Sequence, residues 1–264
     1  MTPKIISVAS SKGGVGKSTV ALGLARALAS AGCKTLLADL DFGNACLDIL
    51  GGVEDSVLYT VNDALSGICT PEAAVVKMPE DGLYLIPAPS VKRRQNIGSE
   101  NGSLSDVLER AAAAVGTSYL IIDTGAGVNE TAEEAFAFSD TVLVVANHSP
   151  VSVRAAENTA MRIRSCGAED IKLIINSFDT ENILKEKKNS RASMLDITDG
   201  CGVQLIGVVP YDYSLELSGE KPGAKCSDNS ASAFRNIALR LDGHSVPLFS
   251  GMKKIRRKRK FLFS

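Results

Sequence analysis

No apolar stretch in the 264-residue sequence approaches the roughly 20 residues needed to span a bilayer, so no transmembrane helix is expected. The N-terminus has no charged segment followed by a long apolar one, which argues against an export signal. Six cysteines, Cys33, Cys46, Cys69, Cys166, Cys201 and Cys226, are scattered without a single CxxC pair. In a chain that is not exported they read as reduced thiols rather than as metal ligands or disulfides. A basic surplus is also missing from most of the chain. The formal charge is −1, yet residues 252–264, MKKIRRKRKFLFS, carry seven Lys or Arg and no acid. The remainder therefore has 22 basic against 30 acidic residues, a net of −8, so body and tail are two electrostatic objects. What the sequence does have is an apolar fraction of 45% with only 32 Gly and Pro, a composition able to bury a sizeable core.

Short β-branched runs alternate with helical patterns. The expected strands are 4–9, 34–39, 83–87, 119–123, 141–146, 171–176 and 203–209, several of them apolar at nearly every position, as in strands buried on both faces. The expected helices are 18–31, 103–115, 130–138, 151–165 and 229–241. In the first of these Val20, Leu24, Ala27, Leu28 and Ala31 form one stripe that stops at Gly32. Strand–helix alternation predicts an α/β fold: one domain over 1–242 with a mostly parallel twisted sheet of about seven to eight strands and helices on both faces. No internal repeat is visible. Residues 89–103, with the basic run Lys92–Arg94, read as an exposed, solvated loop, and 243–251 as a linker to the tail.

The stretch SSKGGVGKST, Ser10 to Thr19, follows the first apolar run and precedes the first helix. Strand, glycine-rich turn and helix is the context of a phosphate-binding loop. Backbone N–H groups of Gly13, Gly14, Val15 and Gly16 can wrap a phosphate where side chains do not intrude, and the helix N-terminus adds favourable partial charge. Lys17 would reach the β- and γ-phosphates, Ser18 would ligate Mg²⁺, and Thr19 completes the GK[ST] end. The strict pattern GxxxxGK[ST] fails at its first position, Ser11, and a second lysine, Lys12, stands five positions before Lys17. Carboxylates at the ends of apolar strands are the other requirement of phosphoryl transfer. LLADLDFG supplies Asp39 and Asp41, and YLIID ends in Asp123, followed by TGAG.

KGGVGKST resembles the deviant Walker A motif of the MinD/ParA family of P-loop ATPases, and the resemblance runs from residue 4 to about 242. It implies ATP and Mg²⁺ as cofactors, an ATP-held homodimer, and a slow ATPase activity raised by a partner and a membrane. By the same resemblance Lys12 crosses the dimer interface to the partner's phosphates, a cation supplied where charge develops. Asp41 orients the attacking water, and Asp39 supports the metal shell. Asp123 holds a water on Mg²⁺. Asn176, at the end of LIIN, and Pro210, Tyr211 and Asp212, in VVPYD, correspond to the family's adenine pocket. The guanine-reading NKxD pattern is absent, which favours ATP over GTP.

Within the family, residues 39–65, LYLIPAP (83–89) and SVR (152–154) are similar to the MinD branch, whose members position the division septum. That likeness implies a division inhibitor of MinC type and an activator of MinE type as partners. It also implies a cytoplasmic protein that becomes peripheral on the inner face of the cell membrane in its ATP state. The branch usually carries Arg-Asn where this chain has Ala45-Cys46, an aspartate at Ala155 and proline at Gly125. A flagellar-number regulator of FlhG type is the alternative, although such proteins carry an N-terminal extension and here three residues precede the first strand. A ParA-like DNA partitioner fits less well, since the body is acidic. Iron–sulfur scaffolds need a CxxC, nitrogenase-type reductases a cysteine within 124–165, and tyrosine-kinase relatives tyrosines beyond Tyr213; none is present. Residues 252–264 read as a basic amphipathic membrane-targeting tail. Its cations would meet anionic headgroups at about 1 kcal/mol each, and its apolar tip, Phe261 to Phe263, would insert. One copy should bind weakly, and two on a dimer should share an effective concentration.

Overall fold

The computed structural model describes residues 2–10, 12–42, 44–89, 102–147, 149–179, 202–216 and 226–248. Ser11, the basic run Lys92–Arg94 and the tail 252–264 lie outside them. Among the described residues eight strands form one sheet in the order β3-β4-β2-β5-β1-β6-β7-β8. In chain order the elements are β1 (Lys4–Ser10), α1 (Lys17–Ser30), β2 (Thr35–Asp39), α2 (Leu47–Gly51), α3 (Val61–Leu65), β3 (Val76–Lys77), β4 (Leu83–Ile86) and α4 (Leu104–Val115). They continue with β5 (Tyr119–Ala126), α5 (Glu130–Ala137), β6 (Thr141–Ala146), α6 (Pro150–Ser165), β7 (Ile171–Phe178), β8 (Gln204–Pro210), α7 (Tyr213–Glu216) and α8 (Asp228–Leu241). Every pairing is parallel except β3–β4.

Strand alternation divides the core between the two faces of the sheet. Ile6, Val8, Leu37 and Ile121 pack with α1 and α8, whereas Ile5, Leu36, Leu120 and Ile122 pack under α3 and α4. Val142, Val144, Leu173 and Ile175 continue the second face beneath α5 and α6. These strands are buried on both sides, so they read as unbroken apolar runs. The helix borders follow from local chemistry. Ser103 and Asp106 close a capping box at α4, Gly116 ends it in a left-handed conformation, and Asn129, Ser149 and Ser227 cap α5, α6 and α8. Two glycines set interhelical and helix–sheet distance. A Cβ on Gly23 of α1 would lie 2.4 Å from the Phe234 ring of α8, and one on Gly207 of β8 would lie 2.2 Å from Ile237.

Three features go beyond the sequence reading. The two-residue antiparallel β3 and the five-residue helices α2 and α3 were not expected. Residues 243–248, expected to begin a linker, instead turn back along α8. His244 N–H donates to the Leu239 carbonyl at 2.9 Å, while Arg240 Nη1 and Asn236 Nδ2 donate to the carbonyls of Val246 and Pro247 at 2.9 and 3.0 Å.

Candidate functional site

Register fixes the site. In the ladder between β2 and β5, Asp39 pairs directly with Asp123, and β1 lies on the other side of β5. Three neighbouring strands therefore deliver the glycine loop, Asp39 and Asp123 to one edge of the sheet, the carboxyl-terminal edge where open α/β sheets place ligands.

The loop after β1 is shaped for an anion. Gly14 and Gly16 have φ of 77° and 84°, and Cβ atoms at Gly13 or Gly14 would meet nothing within 4 Å, so the loop backbone faces open space. Gly16 caps α1 without a side chain, and the first turn of α1 holds no acidic residue, leaving its N–H groups and partial positive charge for a bound anion. Lys12 and the two glycines after it are exposed, Val15 and Lys17 are buried, and Ser18 and Thr19 are half-buried. Asn176, 4% exposed at the end of β7, donates from Nδ2 to the Val15 carbonyl at 2.8 Å. A Cβ on Gly16 would fall 2.1 Å from that amide nitrogen. Asn176 thus braces the loop from below.

Lys17 is ion-paired with Asp123 Oδ1, and both are almost fully buried, at 6% and 0% side-chain exposure. Asp123 Oδ2 is buried without a hydrogen-bond partner. An orphaned carboxylate oxygen next to the Lys17 ammonium, with the half-buried Ser18 following Lys17 in the first turn of α1, suits a hard divalent cation that brings its own waters and phosphate oxygens, as Mg²⁺ does. Among the described residues no ready-made cluster of three His, Cys, Asp or Glu could hold a metal alone.

Asp39 is used differently. Its Oδ1 accepts the Asp41 N–H at 2.9 Å, and its Oδ2 accepts those of Cys46 and Leu47 at 3.3 and 3.2 Å. Its carboxylate thereby receives the start of α2. Burial, with Asp123 adding like charge, pushes the Asp39 carboxyl up to about 7 despite those donors. Cys46 lies beside the Ser18 hydroxyl, and burial pushes its thiol up to about 11. Asp41 packs on Gly125, where a Cβ would sit 3.3 Å from Asp41 Oδ1. With φ of 74°, Gly125 adopts a conformation closed to proline, whose ring fixes a negative φ. Asn44 Nδ2 donates to Asp41 Oδ1 at 3.4 Å. The segments after β2 and β5 are further joined by Leu40 N–H to the Asp123 carbonyl at 2.8 Å, and Gly127 N–H returns to the Ser10 carbonyl at the same distance.

At the far side, Pro210 ends β8 buried, with Tyr211 53% exposed beside it. Asp212 is engaged in structure: Oδ1 accepts the Ser214 N–H at 3.0 Å and Oδ2 that of Ser227 at 2.8 Å, tying the start of α7 to the cap of α8. The structure thus brings Lys12 to Thr19, Asp39, Asp41, Asp123 and Asn176 together, with Pro210 to Asp212 at the end of β8, beside the strand that carries Asn176. The sequence reading missed Cys46 and Leu47 as partners of Asp39 because they act through backbone amides, which leave no side-chain signature.

The CobQ/CobB/MinD/ParA nucleotide binding domain family matches residues 6–222. The septum site-determining protein MinD of Synechocystis is 33% identical over 94% of this chain and 93% of its own length. Among solved structures, the MinC:MinD cell division complex of Aquifex aeolicus aligns with a TM-score of 0.78 at 27% identity, covering 93% of this chain and 98% of that one. The septum site-determining protein MinD of Pyrococcus horikoshii, complexed with Mg-ADP, aligns with a TM-score of 0.74 at 25% identity over 91% and 96%.

Proposed function

Because the chain belongs to the CobQ/CobB/MinD/ParA family of nucleotide-binding proteins, we propose that it is a MinD-type ATPase that dimerises around ATP, associates with membrane and recruits an inhibitor of division. The observation that carries this reading is the buried Lys17–Asp123 pair at the foot of an open glycine loop, with one Asp123 oxygen unpartnered.

Bound Mg-ATP would supply the transferable phosphoryl group and the metal charge that shields it. The loop amides of Gly13 to Gly16 and the amino end of α1 hold the phosphates. Lys17 neutralises the β- and γ-oxygens, while the Ser18 hydroxyl and Asp123 hold the cation. Asp39 acts one step back: it fixes the start of α2 and the Asp41 amide, and so fixes the segment carrying the water-orienting Asp41. Lys12, exposed at the mouth of the loop, is available to a second copy's nucleotide, where its charge offsets what develops on the phosphoryl oxygens. Tyr211, Pro210 and the braced Asn176 border the base.

Among the described residues no helix is long and apolar enough to cross a membrane. Membrane attachment is assigned to 252–264, whose seven cations suit anionic headgroups and whose Phe261–Phe263 suits acyl chains. The protein would be cytoplasmic with ADP and peripheral on the inner membrane face with ATP. The solved complex of the Aquifex relative with MinC supports a MinC-like partner; a MinE-like activator is the matching partner for hydrolysis.

The test is phosphate release from Mg-ATP with and without anionic vesicles, together with vesicle co-sedimentation under ATP and ADP. ATP-selective sedimentation with vesicle-stimulated turnover is expected. Binding indifferent to nucleotide, or no hydrolysis under any condition, would overturn the assignment.

A further inference from the structure

A groove of about 650 Å³ runs down the outer side of α1. Thr19 marks its upper end, one residue beyond Ser18, and Ala27, Leu50, Leu215 and Phe234 give it apolar walls from α1, α2, α7 and α8. Its size falls in the range of sites that enclose a ligand or a few side chains, about 300–1,000 Å³. Arg26 and Glu80 line it as an ion pair at 2.6 Å, yet Glu80 Oε2 is buried without a hydrogen-bond partner. An apolar groove that also presents an unsatisfied carboxylate oxygen suits a segment that is both apolar and cationic.

We propose that this groove binds the chain's own residues 252–264 when they are not in a membrane. The proposal rests on the reading of 252–264 as the membrane-binding segment. Two segments outside the described residues connect directly to elements that line the groove, 217–225 between Leu215 and Cys226 and 249–264 after α8. Residues 217–225, LSGEKPGAK, contain one large apolar side chain, whereas 252–264 contain Met252, Ile255, Phe261, Leu262 and Phe263 together with seven cations. Charge agrees, because the body is net −8. So does direction. The chain beyond α8 returns along it, fastened at Val246 by Arg240 and at Pro247 by Asn236. It therefore leaves residue 248 heading for the amino-terminal half of α8, where Ala231, Phe234 and Arg235 form the groove wall. The 16 residues that follow extend to at most about 55 Å, ample for crossing one helix about 10 Å wide. Arg235 opposes the cations on that wall, so the apolar triplet 261–263 enters the groove while a basic residue reaches Glu80.

The groove is also joined to the nucleotide site. Leu50 belongs to α2, whose first amides rest on Asp39 Oδ2, and Asp39 stands beside Asp123 in the sheet. A rearrangement around Asp39 moves the Leu50 wall. The same apolar side chains cannot occupy groove and bilayer together, so docking competes directly with insertion, and the membrane affinity seen with ADP is reduced by the undocked fraction.

Cys226 on the groove wall is a half-buried free thiol and reports occupancy. Its labelling by a bulky maleimide is followed by peptide mass spectrometry in the full chain with ADP and no vesicles, with Cys69 and Cys166 as internal references. Replacing Phe261, Leu262 and Phe263 by Ser should accelerate Cys226 labelling about tenfold while the references stay constant. Ala27→Arg, which narrows the groove and repels the tail, should accelerate it likewise and raise sedimentation with anionic vesicles under ADP by a similar factor. Unchanged Cys226 labelling in the triple variant overturns the docking. Protection that grows with protein concentration overturns it in favour of a second copy as occupant. If vesicle binding is insensitive to the triple substitution, the membrane reading fails, whereas Cys226 protection still decides the docking.

Discussion

Removing the ammonium group of Lys17 should cost the ligand-free protein more than any surface change could. Lys17 and Asp123 are 6% and 0% exposed, and Asp123 already has one oxygen without a partner. Lys17→Met would leave a fully buried carboxylate facing Asp39, its cross-strand neighbour. Breaking a buried pair by deleting one partner costs about 3–5 kcal/mol. For a chain of this size each kcal/mol lowers the melting midpoint by roughly 2–4 °C, so a drop of about 6–20 °C is expected. Asp123→Asn added to Lys17→Met removes the stranded charge and should restore most of the loss, giving a strongly non-additive cycle. Because the pair is shielded from solvent, the effect should hold between low and high salt. The assay is thermal unfolding in chelator without nucleotide. A single variant melting within about 2 °C of the parent, or a double variant whose loss is the sum of the two singles, would refute the coupling.

Lys12→Ala should leave nucleotide affinity within about twofold while abolishing vesicle-stimulated hydrolysis, checked by titrating a fluorescent ATP analogue and by phosphate release; parental turnover would remove Lys12 from the reaction. Asp41→Ala should retain Mg-ATP and accumulate as a dimer on size-exclusion chromatography, since the water is misplaced while the phosphate loop is intact; a monomer with ATP, or normal turnover, would show the role is wrong. The carboxyl of Asp39 is raised to about 7 from 3.8. In chelator its stability contribution is therefore fully present below pH 3.8 and is lost as pH rises through 7, on the order of 4 kcal/mol at most. Asp39→Asn should flatten that decline whatever its absolute cost, and an equally steep profile from denaturant titrations at stepped pH would exclude Asp39 as its source.

The parts of this fold that were legible were those where one residue type repeats with one environment. Strands such as Thr141–Ala146 and helices such as Leu104–Val115 announce themselves by burial on both faces or on one stripe. The glycine loop and the strand-end aspartates were equally plain, because open backbone and paired charge demand particular residues. What stayed hidden was short or carried by the main chain. At five residues α2 and α3 are too brief for a helical period to show, and the two residues of β3 are indistinguishable from loop. The bracing role of Asn176, whose Nδ2 donates to the Val15 carbonyl 161 residues away in sequence, is visible only in the fold. Asp212 likewise reads as a turn residue, and only the fold reveals that one carboxylate serves two helix starts.

If 252–264 bind membrane as proposed, the return of the chain along α8 shortens the mooring line between body and bilayer. With Val246 and Pro247 fastened to Arg240 and Asn236, the line is counted from Leu248 rather than from the end of α8. Only residues 249–251 then separate the fastened chain from 252–264, a reach of about 10 Å when fully extended. A body on so short a tether would not swivel freely above the lipid. It would present the α8 side to the surface and hold the opposite side toward the cytosol. Two copies moored this way would share one orientation, so a binding partner would meet a surface already aligned for it.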